Sequence, residues 1–540
     1  MRPRTEGDHT GARRLHSRGV AATASGRPAS GAGHLRRALD LLGPDPKDRE
    51  LRGRILLSLA YAEAEQGHVT RGRQLLDEAA DWLAADSTYL HAQRGVFLIR
   101  IGHWREAIDD LDLAVQALRR TGPPIELARA LLNRSTARMP VGDLWRCRID
   151  LLDCRQVAHE HGLVTLALKT TNSLGYLDLL GGKLPQALRQ FDEAARLCAE
   201  HLPSYRPTIL ANKAEALLAA GLHTEAGREL DATIEVFRRQ SQSHEHAEAE
   251  LTRASAALLG GLLDEAQRWA TSARRLFTRR HSHSWAQLAA LVALRADLAR
   301  GQPAGPLAGR GMRLARSLRE RGLADQARIA LLLTVRAYLR AGLPRRAATV
   351  AARVAPPAGT DPLDLWLLWH LAHAELARAN GEPGMFDDQL RAGLARLHHH
   401  RSLLGSIEMQ SGVAVHGREL AATGLATALA NGEPEGLFDW AELIRAQAFR
   451  VPSVQPPADR QAARALEELR QVVRTLRDAE LREPVEGADA AGETAALRAR
   501  RTELEQVVRE RSWLHAGTGT STAVATLPAP CWTGSARTPW

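Results

Sequence analysis

The chain is poor in lysine, aromatic residues and cysteine. Only four of its 72 basic residues are lysines (Lys47, Lys169, Lys183 and Lys213), which leaves 68 arginines and reads as the codon bias of a high-GC bacterial genome. The formal charge of +10 therefore reflects a general arginine bias, and the weak clustering of basic residues argues against a nucleic-acid partner. Aromatics supply 4% of the residues, so alanine and leucine must do the packing. No apolar run reaches the length of a membrane span, which excludes a helical anchor. No Gly-x-x-x-x-Gly-Lys loop is present to cradle nucleotide phosphates, so no cofactor is expected.

Four cysteines in 540 residues make no disulfide framework. Cys147 and Cys154 are seven residues apart, two turns along one helical face and too distant for a bridge. They read as buried thiols of a reducing cytoplasm, with Cys198 near a helix end and Cys531 close to the C-terminus. Histidines occur at 398–400, 244 and 246, and 281 and 283, but adjacent and alternate positions on a helix point in different directions. They lack zinc-type spacing and read as surface residues, so no metal ligands are assigned.

What the chain does have is a period. Glycines at 67, 102, 142, 182, 221 and 261 are followed five positions later by a small residue. Their spacings are 35, 40, 40, 39 and 40, and Gly301, Gly342 and Gly381 continue at 40, 41 and 39. Such a repeat specifies a solenoid. Small residues also precede the glycine by seven: Ala60, Gly95, Ser135, Gly175, Ala214 and Ala254. Larger apolar residues follow by nine (Leu76, Leu111, Leu151, Phe191, Leu230) and small ones by twelve (Ala79, Ala114, Cys154, Ala194, Ala273). These offsets line one face of a helix on each side of a glycine turn.

The pattern resembles the tetratricopeptide repeat, most closely in the unit Asn172, Leu174, Gly175, Tyr176, Gly182, Ala187, Phe191 and Ala194. The resemblance covers about residues 50 to 355, with a period longer than the common 34. It implies an all-α, right-handed superhelical solenoid of about nine helix pairs. Pro303, Pro306 and the Gly-Arg-Gly at 309–311 put the seventh turn out of pattern, where a bend or local opening is expected, and Phe386 replaces the small residue of the ninth.

Beyond the repeats, residues 431–449 form a helix carrying Trp440, Ala441 and Glu442. A linker with Pro452, Pro456 and Pro457 follows, then a heptad seam of Leu466, Leu469, Val473 and Leu476. Pro484 and the glycines at 487 and 492 break it, and a second helix resumes with Leu497, Leu504 and Val508, giving a helical hairpin that could self-associate. This order of segments resembles actinobacterial proteins that join tetratricopeptide repeats to a caspase-like CHAT domain. Only 25 residues follow His515, too few for a parallel sheet with covering helices. The expectation is a missing or truncated CHAT domain, with no catalytic role for Cys531 and no enzyme activity.

The expected organisation is a disordered tail (1–33), repeats (34–355), degenerate repeats with the Trp-Ala-Glu helix (356–450), linker and hairpin (451–515), and a disordered remnant (516–540). The resemblance implies a cytoplasmic protein-interaction scaffold or sensor, the regulatory half of a CHAT-type protein. A fragment of a signalling or transcriptional regulator is the alternative. The partner is expected to be a protein or peptide held in the concave groove. Counting back from the turn glycines places Tyr61, Asn172, Tyr176 and Glu215 on that groove, beside Leu57, Val96, Leu132 and Thr136.

Overall fold

A computed structural model describes residues 6–24, 27–42, 48–84, 87–239, 243–359, 361–432, 434–449, 459–486 and 488–515. The described residues are helical throughout and fall into two compact units, one of residues 1–393 and 415–424, the other of 394–414 and 425–540.

The first unit opens with α1 (Glu6–Ala24) and α2 (Pro28–Leu42). Residues 6–24 and 28–33 thus form helices where a disordered tail was expected. The Gly- and Ala-rich composition that suggests a tail is what lets the two helices touch. A Cβ on Gly19 would lie 2.6 Å from Leu35 Cγ, and one on Gly31 would lie 2.1 Å from Thr23 Oγ1. Ala12, Ala32, Leu35 and Ala38 are fully buried at this contact.

Helix pairs then follow the glycine period. They are α3 (Arg49–Glu65) with α4 (Val69–Trp82), α5 (Thr88–Ile101) with α6 (Trp104–Thr121), and α7 (Pro124–Arg138) with α8 (Leu144–Glu160). Next come α9 (Val164–Leu180) with α10 (Leu184–His201), α11 (Arg206–Ala219) with α12 (His223–Arg239), and α13 (Ser243–Leu259) with α14 (Leu263–Arg279). The series continues with α15 (His283–Ala299) and α16 (Ala304–Glu320), α17 (Ala324–Arg340) and α18 (Pro344–Ala351), and α19 (Leu363–Asn380) and α20 (Pro383–Ser402).

Every turn glycine of the period, from Gly67 to Gly381, has a φ between 70° and 86°, the left-handed conformation that ends a helix without a Cβ penalty. The small residues of the repeat are the close contacts. Ala60, Ser135, Ala214, Ala254, Ala107, Cys147, Ala187, Ala226, Ala266 and Ala347 are all fully buried, and so are Leu111, Leu151, Phe191 and Leu230. At Gly95 a Cβ would sit 2.6 Å from Leu111 Cγ, which explains why glycine occupies that slot.

Around the out-of-pattern seventh turn, Pro303 precedes α16, and Pro306 and the Gly-Arg-Gly at 309–311 lie within this one continuous helix. Gly311 serves there as the close-approach residue, since its Cβ would lie 2.2 Å from Thr334 Oγ1 on α17. Phe386, in the small-residue slot of the ninth unit, is buried.

The second unit contains α21 (Ile407–Val413), the later part of α22 (Arg418–Asn431), α23 (Pro434–Phe449), α24 (Arg460–Glu486) and α25 (Ala488–Ser512). Trp440 is buried on α23, whereas Phe438 is 63% exposed. Helices α24 and α25 pack as a hairpin through Ala465, Val472 and Leu504, with Leu469, Leu497 and Val508 against them. Of the expected heptad, Leu469 packs at this interface and Leu476 is buried, whereas Val473 points outward at 45% exposure. The backbone of α24 also runs through Pro484 to Glu486. Glu408 of α21 accepts from Trp513 Nε1 at 2.8 Å and pairs with Arg509. The proline linker at 452–457 and the segment 516–540, with Cys531, lie outside the described residues.

Candidate functional site

Within the first unit, successive first helices of the pairs (α3, α5, α7, α9, α11, α13, α15, α17, α19) touch one another directly, and no comparable contact joins successive second helices. The first helices therefore form one continuous wall of touching helices. Tyr61, Asn172, Tyr176 and Glu215 stand on α3, α9, α9 and α11 of that series.

Tyr176 and Glu215 are bonded to each other, and Asn172 bonds to other partners beside them. The Asn212 amide donates to Asn172 Oδ1 at 3.2 Å, and the Asn172 amide donates to the Tyr205 hydroxyl at 3.3 Å. Lys169 Nζ lies 5.5 Å from the centre of the Tyr205 ring. The Tyr176 hydroxyl bonds to the Glu215 carboxyl, which also accepts from Thr252 Oγ1 at 3.1 Å. A polar chain thus crosses α9, α11 and α13. Burial pushes the Glu215 carboxyl up to about 7, against the pull of its two hydroxyl donors and with a further push from Glu248. The charge of Glu215 and burial together hold the Tyr176 hydroxyl well above its usual range, and burial pushes Tyr205 up to about 12.

Tyr61 belongs to a second cluster. Its hydroxyl accepts from Arg100 Nε at 3.2 Å, and Arg100 also reaches Glu65 at 3.1 Å and Glu245 at 3.0 Å. Burial alone would raise the Glu245 carboxyl, but Arg100 and His244 outweigh it and hold it at about 2. Glu245 also acts on Tyr205, which links the two clusters electrostatically.

Sequence reasoning missed Tyr205, Asn212, Thr252, Arg100 and Glu245. Asn212 carried a signal, since it lies 40 residues after Asn172, one period on. Tyr205 precedes α11 in a short 3-10 turn, outside the counted helix positions. The wall offers hydrogen bonding and charge. The Cys147, Cys154 and Cys198 thiols are buried and donate to the carbonyls of Ser135, Ala128 and Leu202. Burial pushes Cys147 up to about 12, far from a reactive thiolate. His244 and His246 lie 3.2 Å from Glu248 and Glu250, so both are paired, His244 buried and His246 half-buried, where surface histidines were expected. No helix among the described residues is long and apolar enough to cross a membrane.

No family model matches the sequence, and no curated protein does. Similarity is found among solved structures. A tetratricopeptide repeat protein from Parabacteroides merdae aligns at 14% identity and a TM-score of 0.35, over 52% of this chain and 99% of its own. A Rap protein complexed with competence and sporulation factor aligns at 12% identity and 0.41, over 78% of this chain and 99% of its own. A signal-transduction ATPase with a tetratricopeptide repeat sensor, from Pyrococcus horikoshii, aligns at 10% identity and 0.37, over 60% of this chain and 52% of its own.

Proposed function

We propose that this chain is a protein-interaction scaffold or sensor of the tetratricopeptide type, and that a protein or peptide partner engages the inner wall at Asn172, Tyr176 and Glu215. The observation that carries this reading is the polar chain across α9, α11 and α13. It sets amide, hydroxyl and carboxyl groups one helix pair apart, where they can exchange their mutual hydrogen bonds for those of an extended backbone. Tyr61 joins the wall through Arg100.

The segment order supports reading the chain as the regulatory half of an actinobacterial CHAT-type protein, with a binding and not a catalytic role. Unbridged, buried thiols fit a reducing cytoplasm. The alternative, a fragment of a signalling or transcriptional regulator, requires a DNA-bound complex. The hairpin can add self-association through the outward face around Val473.

A photo-crosslinking residue at position 176 tests the wall, with position 155 on the exposed face of α8 as control. Crosslinks to one protein from 176 and none from 155 support the reading, and equal yields from both sites refute it. A Val473→Glu variant tests the hairpin. An unchanged sedimentation coefficient across concentrations in both chains would discard self-association.

A further inference from the structure

Solenoid repeats ordinarily contact only their neighbours. Here the turns of the first helix pairs also meet residues about two hundred positions further on. Arg280 Nη1 donates to the Glu65 carbonyl at 2.5 Å across a separation of 215 residues, and its Nη2 lies 3.0 Å from the Glu65 carboxylate. Ser282 and Ser284 donate to the carbonyls of Arg100 and Gly102, each 182 residues away, at 3.3 and 3.0 Å. These carbonyls close α3 and α5, where intrahelical donors run out.

Arg100 spans the same seam to Glu245. Trp104 is 3% exposed within the cluster of Leu291, Leu294 and Leu298, and its ring lies 6.3 Å from that of Trp285. Gly67 and Gly102 serve the seam as well as their turns: a Cβ would lie 2.8 Å from the Arg279 carbonyl at the first and 2.9 Å from Ser284 Cβ at the second. His281, beside these contacts, is the one non-glycine with positive φ among the described residues, at 53°.

Resting on the binding role of the inner wall, we propose that this seam is a latch: it holds the array closed on itself and sets the access of outside molecules to the wall. Two features make it a device that opens. The wall residue Tyr61 shares Arg100 with Glu245, so wall and seam are one network. The seam also borders a solvent-facing cleft of about 600 Å³ lined by Glu65, Gln66, His68, Arg238, His246 and Arg280. The carbonyl caps and ion pairs beside this cleft can exchange their bonds with water, so this side of the seam, away from the buried Trp104, gives way before the alanine- and leucine-packed interfaces of adjacent helix pairs.

The test uses the full chain carrying Arg280→Ala, Ser282→Ala and Ser284→Ala together. Amide exchange over residues 61–68 and 98–104 should rise on the order of tenfold or more, since charge-assisted and neutral caps are lost together. Nitration of Tyr61, read by peptide mapping, should accelerate with it, while Tyr338 stays unchanged. An Arg253→Ala control, which breaks pairs with Asp231 and Glu265 of neighbouring helices, should leave both readouts at the wild-type level. The wild-type chain moved from about 0.1 M to about 1 M salt should shift the same way by screening, which tests the latch without mutation. Wild-type exchange and nitration in the triple variant and at high salt would overturn the latch. Faster exchange with unchanged Tyr61 nitration would overturn its control of access. Neither readout depends on the partner, so failure of the crosslinking experiment leaves the latch standing.

Discussion

Glu215 has an ordinary carboxyl value of 4.5 that burial in the wall raises to about 7. A carboxyl raised on folding holds more protons folded than unfolded between those two values, so stability falls as pH rises through that window. The rise corresponds to about 3 kcal/mol, absent below the unfolded value and fully felt above the folded one. Glu215→Gln keeps an acceptor for the Tyr176 and Thr252 hydroxyls but cannot ionise. Variant and wild type should therefore unfold in urea at similar midpoints near pH 5, and the variant should pull ahead toward pH 8 by up to about 3 kcal/mol. Far-ultraviolet circular dichroism across that range is the assay. A difference that stays constant with pH, or a wild type that gains on the variant as pH rises, refutes the argument that burial of this carboxyl dominates its wall environment.

Arg336, 4% exposed, forks between Glu375 at 3.0 Å and Glu419 at 3.2 Å, so Arg336→Met leaves two carboxylates facing each other and should cost about 3 kcal/mol in urea unfolding. Gly95→Val drives branched carbons into Leu111 and should destabilise by about 1–3 kcal/mol, and Gly142→Ala should cost about 1–2 kcal/mol through its φ of 79°, although no atom lies within 4 Å of its Cβ position. Iodoacetamide should label Cys147 and Cys154 only after denaturation, since both thiols are buried and raised; labelling at the rate of a free thiol in the native chain would contradict that burial.

The local grammar of the array was legible because it repeats. A left-handed turn needs glycine, and two helices in close contact need a small residue at a fixed offset, so each unit restates the same constraint. Gly67 through Gly381 and the buried Ala60, Ala107, Leu111 and Phe191 occupy those places. Isolated elements misled. The Gly-Ala composition of α1 and α2 resembles a tail until Gly19 and Gly31 are seen under Leu35 and Thr23. The Gly-Arg-Gly in α16 resembles a break until Gly311 is seen against Thr334. At Val473 a heptad reading chose the wrong neighbour, because the hairpin buries Ala465 and Val472 instead.

For the candidate site, counting back from the turns reached Asn172, Tyr176 and Glu215, since positions on the inner helices repeat with the period. Their partners Tyr205 and Thr252, and the link from Arg100 to Glu245, depend on which side chains meet across helices. The sequence by itself determined the helix pairs, their turns and the face each pair buries, all set by contacts within about forty residues. Only the tertiary structure decided that Arg280 and Ser284 would close the turns at Glu65 and Gly102. That contact depends on small rotations summed over several successive helix pairs, and no single repeat encodes the sum.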